Sequence, residues 1–189
     1  MSLPRLVLLR HATALAEEVD PERPLSPEGV AEAESVAHGL AAYVGIASKY
    51  SPDASGAAPD VVIVHSGKLR TAQTAAIVRD VLVLGGCRLL GDGADGDALS
   101  PQADPALVIA LMDEMVTPQQ TLLVLVGHLP HLHVLSAALG VEADAAQFGP
   151  AGGLCLEKSD GWKMAAHIDM SSWWMEAPPP PPAPPVAPP

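Results

Sequence analysis

The sequence is poor in aromatic residues: one Phe, two Tyr and three Trp among 189 residues. Its core must therefore be built mostly from Ala, Leu and Val. At 49% hydrophobic residues there are enough of them for one domain with a full interior. Positive charge is also scarce. Ten Lys and Arg stand against 22 Asp and Glu, a formal net charge of −12. That argues against a nucleic acid or an anionic membrane as partner, since both need a basic surface. It also makes any concentrated positive charge a built feature. Cysteine is limited to Cys87 and Cys155, which form no CxxC pair and read as reduced thiols of a cytoplasmic protein. No apolar run is long enough for a membrane span, and the one near the N-terminus is broken by Arg10. Neither a signal peptide nor a membrane span is expected from it.

Proline, by contrast, is plentiful. The chain ends in "PPPPPAPPVAPP" from residue 178, a composition that favours polyproline II and cannot join a core. The expected organisation is one domain over residues 1–174 and a disordered Pro-rich tail over 175–189. Within the domain, "RLVLL" (5–9), "DVVIV" (60–64) and "TLLVLV" (121–126) read as buried strands. Helices are expected over 26–47, with Ser26 as cap and Pro27 in the first turn. Others should span 66–84, capped by Ser66 and stopped by Gly85-Gly86, then 104–115 and 130–139. Residues 153–157 and 162–168 suggest a hairpin, and the acidic "GDGADGDA" (91–98) a flexible surface loop. Aliphatic strands alternating with helices imply an α/β fold, a mostly parallel sheet covered on both faces.

In such sheets ligands bind beyond the carboxyl ends of the strands. The first strand ends in Arg10-His11, the second in His65-Ser66 and the third in Gly127-His128. Arg70 follows four residues after Ser66, near a helix N-terminus. Arg10, His11, Arg70 and His128 together would make a small cationic pocket on an acidic protein. Its natural ligand is a phosphoryl group, which Arg grips in a bidentate way.

Four segments in order then resemble the histidine phosphatase superfamily. "LRHATA" is similar to its Arg-His-Gly motif, with Ala12 where Gly is usual. "DPERPLSPEG" (20–29) resembles the stretch that follows, "HSGKLRTAQTA" the second segment and "VGHLPHL" the second-histidine segment. The chain most resembles the small SixA-type phosphohistidine phosphatases. The resemblance implies a three-layer, phosphoglycerate mutase-like fold and a phosphatase that needs no metal or cofactor. His11 would attack phosphorus and become a phosphohistidine. Arg10, Arg70 and His128 would hold the phosphoryl oxygens, and Ser66 would either contact them or only cap its helix. The substrate would be a phosphorylated protein, such as a phosphohistidine-bearing domain in signal transduction, or a small phosphate ester.

Many members of the superfamily carry a carboxylic acid that protonates the leaving oxygen. Here that place falls at Ala98, with Asp97 and Asp95 as the nearest candidates, and the acid reads as absent or weak. That favours a leaving group that needs little help, as in phosphohistidine. Two alternatives stay open: an ester phosphatase using Asp95 or Asp97, and a non-catalytic phospho-binding module. A phosphoglycerate mutase is disfavoured by the short chain. His65 either faces the pocket or is a buried, bonded histidine. His131 and His133, two apart on a helix, do not share a face and make a poor metal pair. His38 and His167 have no evident partners, and Trp162, Trp173 and Trp174 are expected to cover one end of the core.

Overall fold

Strands that are apolar on both faces need helices on both sides, and the chain supplies them in alternation. The computed structural model describes residues 6–50, 59–115, 121–141, 147–158 and 160–169. In chain order the elements are β1 (Leu6–Arg10), α1 (Pro27–Tyr50), β2 (Asp60–His65), α2 (Leu69–Leu84), β3 (Arg88–Ala94) and α3 (Gly96–Leu99). Then come α4 (Pro105–Met115), β4 (Thr121–Gly127), α5 (His131–Ala138), β5 (Gly153–Lys158) and β6 (Trp162–Ile168). The sheet order is β3-β2-β4-β1-β5-β6. β3, β2, β4 and β1 run parallel, while β5 and β6 form an antiparallel hairpin on β1.

The pleat divides the core. Val7, Leu9, Val61, Ile63, Leu122, Val124 and Val126 point to one face, where they meet Ala33, Val36 and Leu40 of α1 and Val78 and Leu82 of α2. Leu6, Leu8, Leu123, Leu125, Leu154 and Leu156 point to the other, against Leu99, Val108, Met112, Leu132 and Leu135 of α3, α4 and α5. The result is three layers, α/β/α, as the sequence implied. β4, between β2 and β1, is buried along its whole length. No helix among the described residues is long and apolar enough to cross a membrane. Cys87 and Cys155 are buried and unpaired, and burial pushes both thiols upward in pKa.

Several local expectations hold. Ser26 Oγ accepts from the Gly29 amide at 3.0 Å, closing the first turn of α1. Asp104 does the same for Ala106 at 2.9 Å ahead of α4. Past α2 the turn is completed by Gly86 at φ 97, and past α5 by Gly140 at φ 81, conformations that favour glycine. Trp162 packs against the second core cluster, whereas Trp173, Trp174 and the tail lie outside the described residues.

Two expectations are corrected. Ser66 does not cap α2: the helix begins at Leu69 with Lys68 in the cap position and no side-chain cap bond. Gly67, at φ 79, turns the chain after β2 and leaves the Ser66 side chain free for another task. The stretch 91–98 is not simply a loop. Its first half continues edge strand β3, and the rest caps and begins α3. An edge strand needs only one partner, so its glycines and exposed side chains left no apolar pattern to read. Ion pairs Arg88–Asp60 and Arg79–Asp92 (2.6 and 2.8 Å) tie it down.

Gly29 shows how closely the first motif is packed. A Cβ there would sit 1.9 Å from the Thr13 carbonyl oxygen, a backbone atom that cannot turn aside. In an exposed helix, Gly→Ala stabilises by up to about 1 kcal/mol. Here Gly29→Ala should instead destabilise by roughly 1–3 kcal/mol, read as a lower midpoint in chemical denaturation. A gain in stability would show that the loop after β1 is not held as described.

Candidate active site

Register brings the polar strand ends together. Arg10 pairs with Gly127 across β1 and β4, and His65 with Val126 across β2 and β4. β1, β2 and β4 therefore finish at one edge, and the residues that end or follow them converge there. His11 and His128 lie with ring centroids 5.0 Å apart, edge to face. Arg70 reaches in from the first turn of α2, its Nε 3.3 Å from His11 Nε2.

The His11 ring is oriented by its backbone. Nδ1 lies 2.7 Å from the Ala12 carbonyl, which can only accept, so Nδ1 carries the proton. In the neutral ring the lone pair is then on Nε2, facing Arg70. The 3.3 Å contact is long for a hydrogen bond, so an arriving anion can draw the guanidinium away. The His11 pKa is lowered to about 4, chiefly by burial, with Arg70, Arg10 and Arg23 adding to it and the Ala12 hydrogen bond opposing.

His128 is held from behind. The Thr71 hydroxyl donates to the Lys68 carbonyl at 2.7 Å, which leaves the Thr71 oxygen to accept. Ser66 therefore donates to Thr71 (3.0 Å) and accepts from His128 Nε2–H (2.6 Å). This chain fixes the tautomer: His128 Nδ1 is the atom left with a lone pair. Burial lowers the His128 pKa to about 3, with His11, Arg70, Lys68 and His131 contributing. With its hydroxyl proton engaged by Thr71, Ser66 has none to offer an anion; its contact with the site runs through His128.

Among the described residues the cations of this site have no carboxylate partners. Arg10 donates from Nη1 to the Phe148 carbonyl at 3.0 Å. Every ion pair among the described residues lies elsewhere, on Arg79, Arg88 and His167. On a chain with 22 acidic residues, half-buried arginines without a counter-charge are uncompensated, and an anion would compensate them. Desolvation accordingly lowers the Arg70 pKa, with Arg23 adding to the effect.

The other candidates separate. Asp95 Oδ1 accepts from Ala98 N at 2.9 Å, capping α3, and Asp97 is exposed on that helix. Neither carboxylate hydrogen-bonds to Arg10, His11, Arg70 or His128. His65 is half-buried, its Nδ1 accepting from Gly67 N at 3.1 Å. His131 is buried and His133 exposed, so they do not share a face. His38 is exposed. His167 does have partners, the Gln147 carbonyl at 2.5 Å and Asp169 at 3.2 Å.

Sequence reasoning missed the groups that hold the loop after β1. Ala12 N donates to Thr74 Oγ1 (3.2 Å), and Leu25 N donates to Gln73 Oε1 (2.7 Å). Glu32, buried on α1, accepts from both Thr13 N and Thr13 Oγ1 at 2.8 and 2.9 Å. One signal was available. Thr71 and Thr74 fall on the buried face of α2 with Ala75, Val78 and Leu82, and polar residues in an apolar stripe need partners. Arg23, which lines a cleft beside Arg70, was also missed as an individual residue.

No family model and no curated protein matches the chain. Solved structures do. The protein histidine phosphatase SixA complexed with tungstate aligns at TM-score 0.67 and 20% identity, over 87% of this chain and 96% of that one. A protein described as a phosphohistidine phosphatase SixA, from Agrobacterium tumefaciens, aligns at 0.57 and 23%, over 88% and 98%. A mycobacterial glucosyl-3-phosphoglycerate phosphatase in complex with inorganic phosphate aligns at 0.51 and 18%, over 86% and 96%. The chain has the phosphoglycerate mutase-like fold of these phosphatases.

Proposed function

We propose that the chain is a phosphohydrolase of the histidine phosphatase superfamily, working through a phosphohistidine on His11 and acting on phosphohistidine in a protein. The observation that carries this reading is the His11 ring held by the Ala12 carbonyl at Nδ1, with Nε2 facing Arg70 Nε 3.3 Å away, among arginines without ion-pair partners in the described residues. The SixA and glucosyl-3-phosphoglycerate phosphatase structures support it at the level of fold.

In the first step Nε2 of His11 forms a bond to phosphorus as the bond to the leaving nitrogen or oxygen breaks. Arg10 and Arg70 offset charge on the phosphoryl oxygens, doing electrostatic work that a metal does elsewhere, and no metal is invoked. His128 Nδ1, the ring atom left with a lone pair, accepts a hydrogen bond from the P–OH of a phosphoryl monoanion and so holds the transferring group. In the second step water attacks phosphorus, His11 leaves, and inorganic phosphate is released. Asp95 and Asp97 are given no part. An ester phosphatase using one of them is the second reading, and it would need Asp95 to abandon its cap on α3.

The pH profile is the test. The attacking ring must be neutral, so kcat/KM falls as pH drops through the His11 pKa of the free enzyme. With para-nitrophenyl phosphate that fall should be centred near pH 4, after correction for ionisation of the substrate, and not near 6.5, where an ordinary histidine titrates. An acid limb centred at 6.5, or no hydrolysis at all, would contradict the reading.

A further inference from the structure

Beside Arg70 the surface opens into a cleft of about 500 Å³, lined by Glu17, Glu22, Arg23, Lys68 and Leu69 as well as Arg70 itself. Arg23 stands out for its backbone. It sits at φ 50, a left-handed conformation that a long side chain adopts at a cost and that asparagine or glycine would adopt more easily. Such strain persists only where the surroundings fix it, and it gathers at working sites.

Here the surroundings do fix it. The Arg23 amide donates to the Asp20 carbonyl at 2.9 Å, and Leu15 N donates to the Pro24 carbonyl at 2.8 Å. The neighbouring Leu25 is bonded to Gln73 of α2 and paired with Ala14 across an isolated bridge. The side chain is half-buried, and Nε donates to the Leu15 carbonyl at 3.2 Å. That bond orients the guanidinium and uses one of its five N–H groups. No ion pair joins Arg23 to Glu17, Glu22 or any other described residue, although both carboxylates line the same cleft. Its charge nevertheless reaches the site, disfavouring protonation of both His11 and Arg70.

We propose that Arg23 is a third phosphoryl-binding arginine, presented to the substrate anion from the cleft beside Arg70. The inference rests on the reading of this edge as a phosphoryl site and adds to it a residue from a different loop. A pinned loop, a strained backbone and an oriented, unpaired guanidinium are what a preorganised anion contact requires.

The experiment is calorimetric titration of inorganic phosphate into the full chain, wild type against Arg23→Asn. Asparagine tolerates the left-handed backbone, so the fold should be kept while the fork is lost. Arg23→Gly, which removes the strain outright, guards against a folding defect in the first variant. Both variants should bind phosphate about tenfold more weakly, or worse, with melting temperatures close to wild type. Arg23→Lys, which keeps the charge without the planar fork, should fall between. Phosphate affinity within twofold of wild type in the Asn and Gly variants would overturn the proposal. So would a loss of affinity accompanied in both by early melting, which would make Arg23 a residue that only braces its loop. Wild type that binds no phosphate would instead defeat the phosphoryl-site reading itself.

Discussion

Replacing His11 by alanine should cut turnover by roughly 10⁵-fold or more, the scale on which removing a covalent nucleophile acts. The loss should fall on kcat. Arg10 and His128 do not depend on the His11 ring for their positions, since Arg10 is bonded to Phe148 and His128 to Ser66, and Arg70 loses only a long 3.3 Å contact. Phosphate should therefore still bind His11→Ala with an affinity near that of wild type. His11 is half-buried at the end of β1 rather than in the core, so the variant should fold. Steady-state kinetics beside a phosphate titration separates the two effects. A drop of less than about 100-fold in kcat would mean that another group attacks phosphorus, or that water does so directly.

Phosphohistidine-type P–N substrates should be hydrolysed with kcat/KM roughly 10²–10⁴-fold above that for alkyl phosphates. That range is what a positioned general acid typically contributes, and no carboxylate among the described residues bonds to Arg10, His11, Arg70 or His128. Expelling an alkoxide without one releases a strong base, comparable to hydroxide from water with its pKa of about 15.7. A phosphohistidine can take a proton on its distal ring nitrogen and leave as neutral imidazole, whose conjugate acid has a pKa of about 6.5. Asp95→Asn should leave P–N hydrolysis within about twofold of wild type, since Asn is as good a cap as Asp, and Asp97→Asn should do the same. Alkyl phosphates hydrolysed equally well, with one Asn variant losing that activity, would make that aspartate the acid and the protein an ester phosphatase.

The sheet was legible because its signals are local. Unbroken aliphatic runs at 60–64 and 121–126 can be little else once helical stretches separate them, and Pro27 and Pro105 marked helix starts through their own geometry. The convergence of the candidate residues was legible for a related reason. Arg10 ends β1, and His11 and His128 directly follow buried strands, so knowing where the strands end is nearly knowing where these side chains go. Arg70 followed from one turn of helix.

What could not be read depends on contacts distant in sequence. Ser66 looked like a helix cap because its immediate context permits one. Its real partner, His128, lies 62 residues away, and only the register of β2 with β4 brings them together. Strand β3 was hidden because an exposed edge makes no apolar demand on its residues. Arg23 was hidden in a stretch whose resemblance was plain as a whole but whose backbone strain no residue type announces.

The most direct measurement is to trap the phosphorylated chain and locate the phosphoryl group. Enzyme mixed with para-nitrophenyl phosphate, quenched in base within milliseconds and digested, should yield one phosphorylated peptide containing residues 6–14, with the modification on His11 at Nε2. The species should be stable in base, lost in acid, and absent from His11→Ala. A modification on His128, His65 or any other residue, or turnover with no phosphorylated chain at any time, would contradict the account.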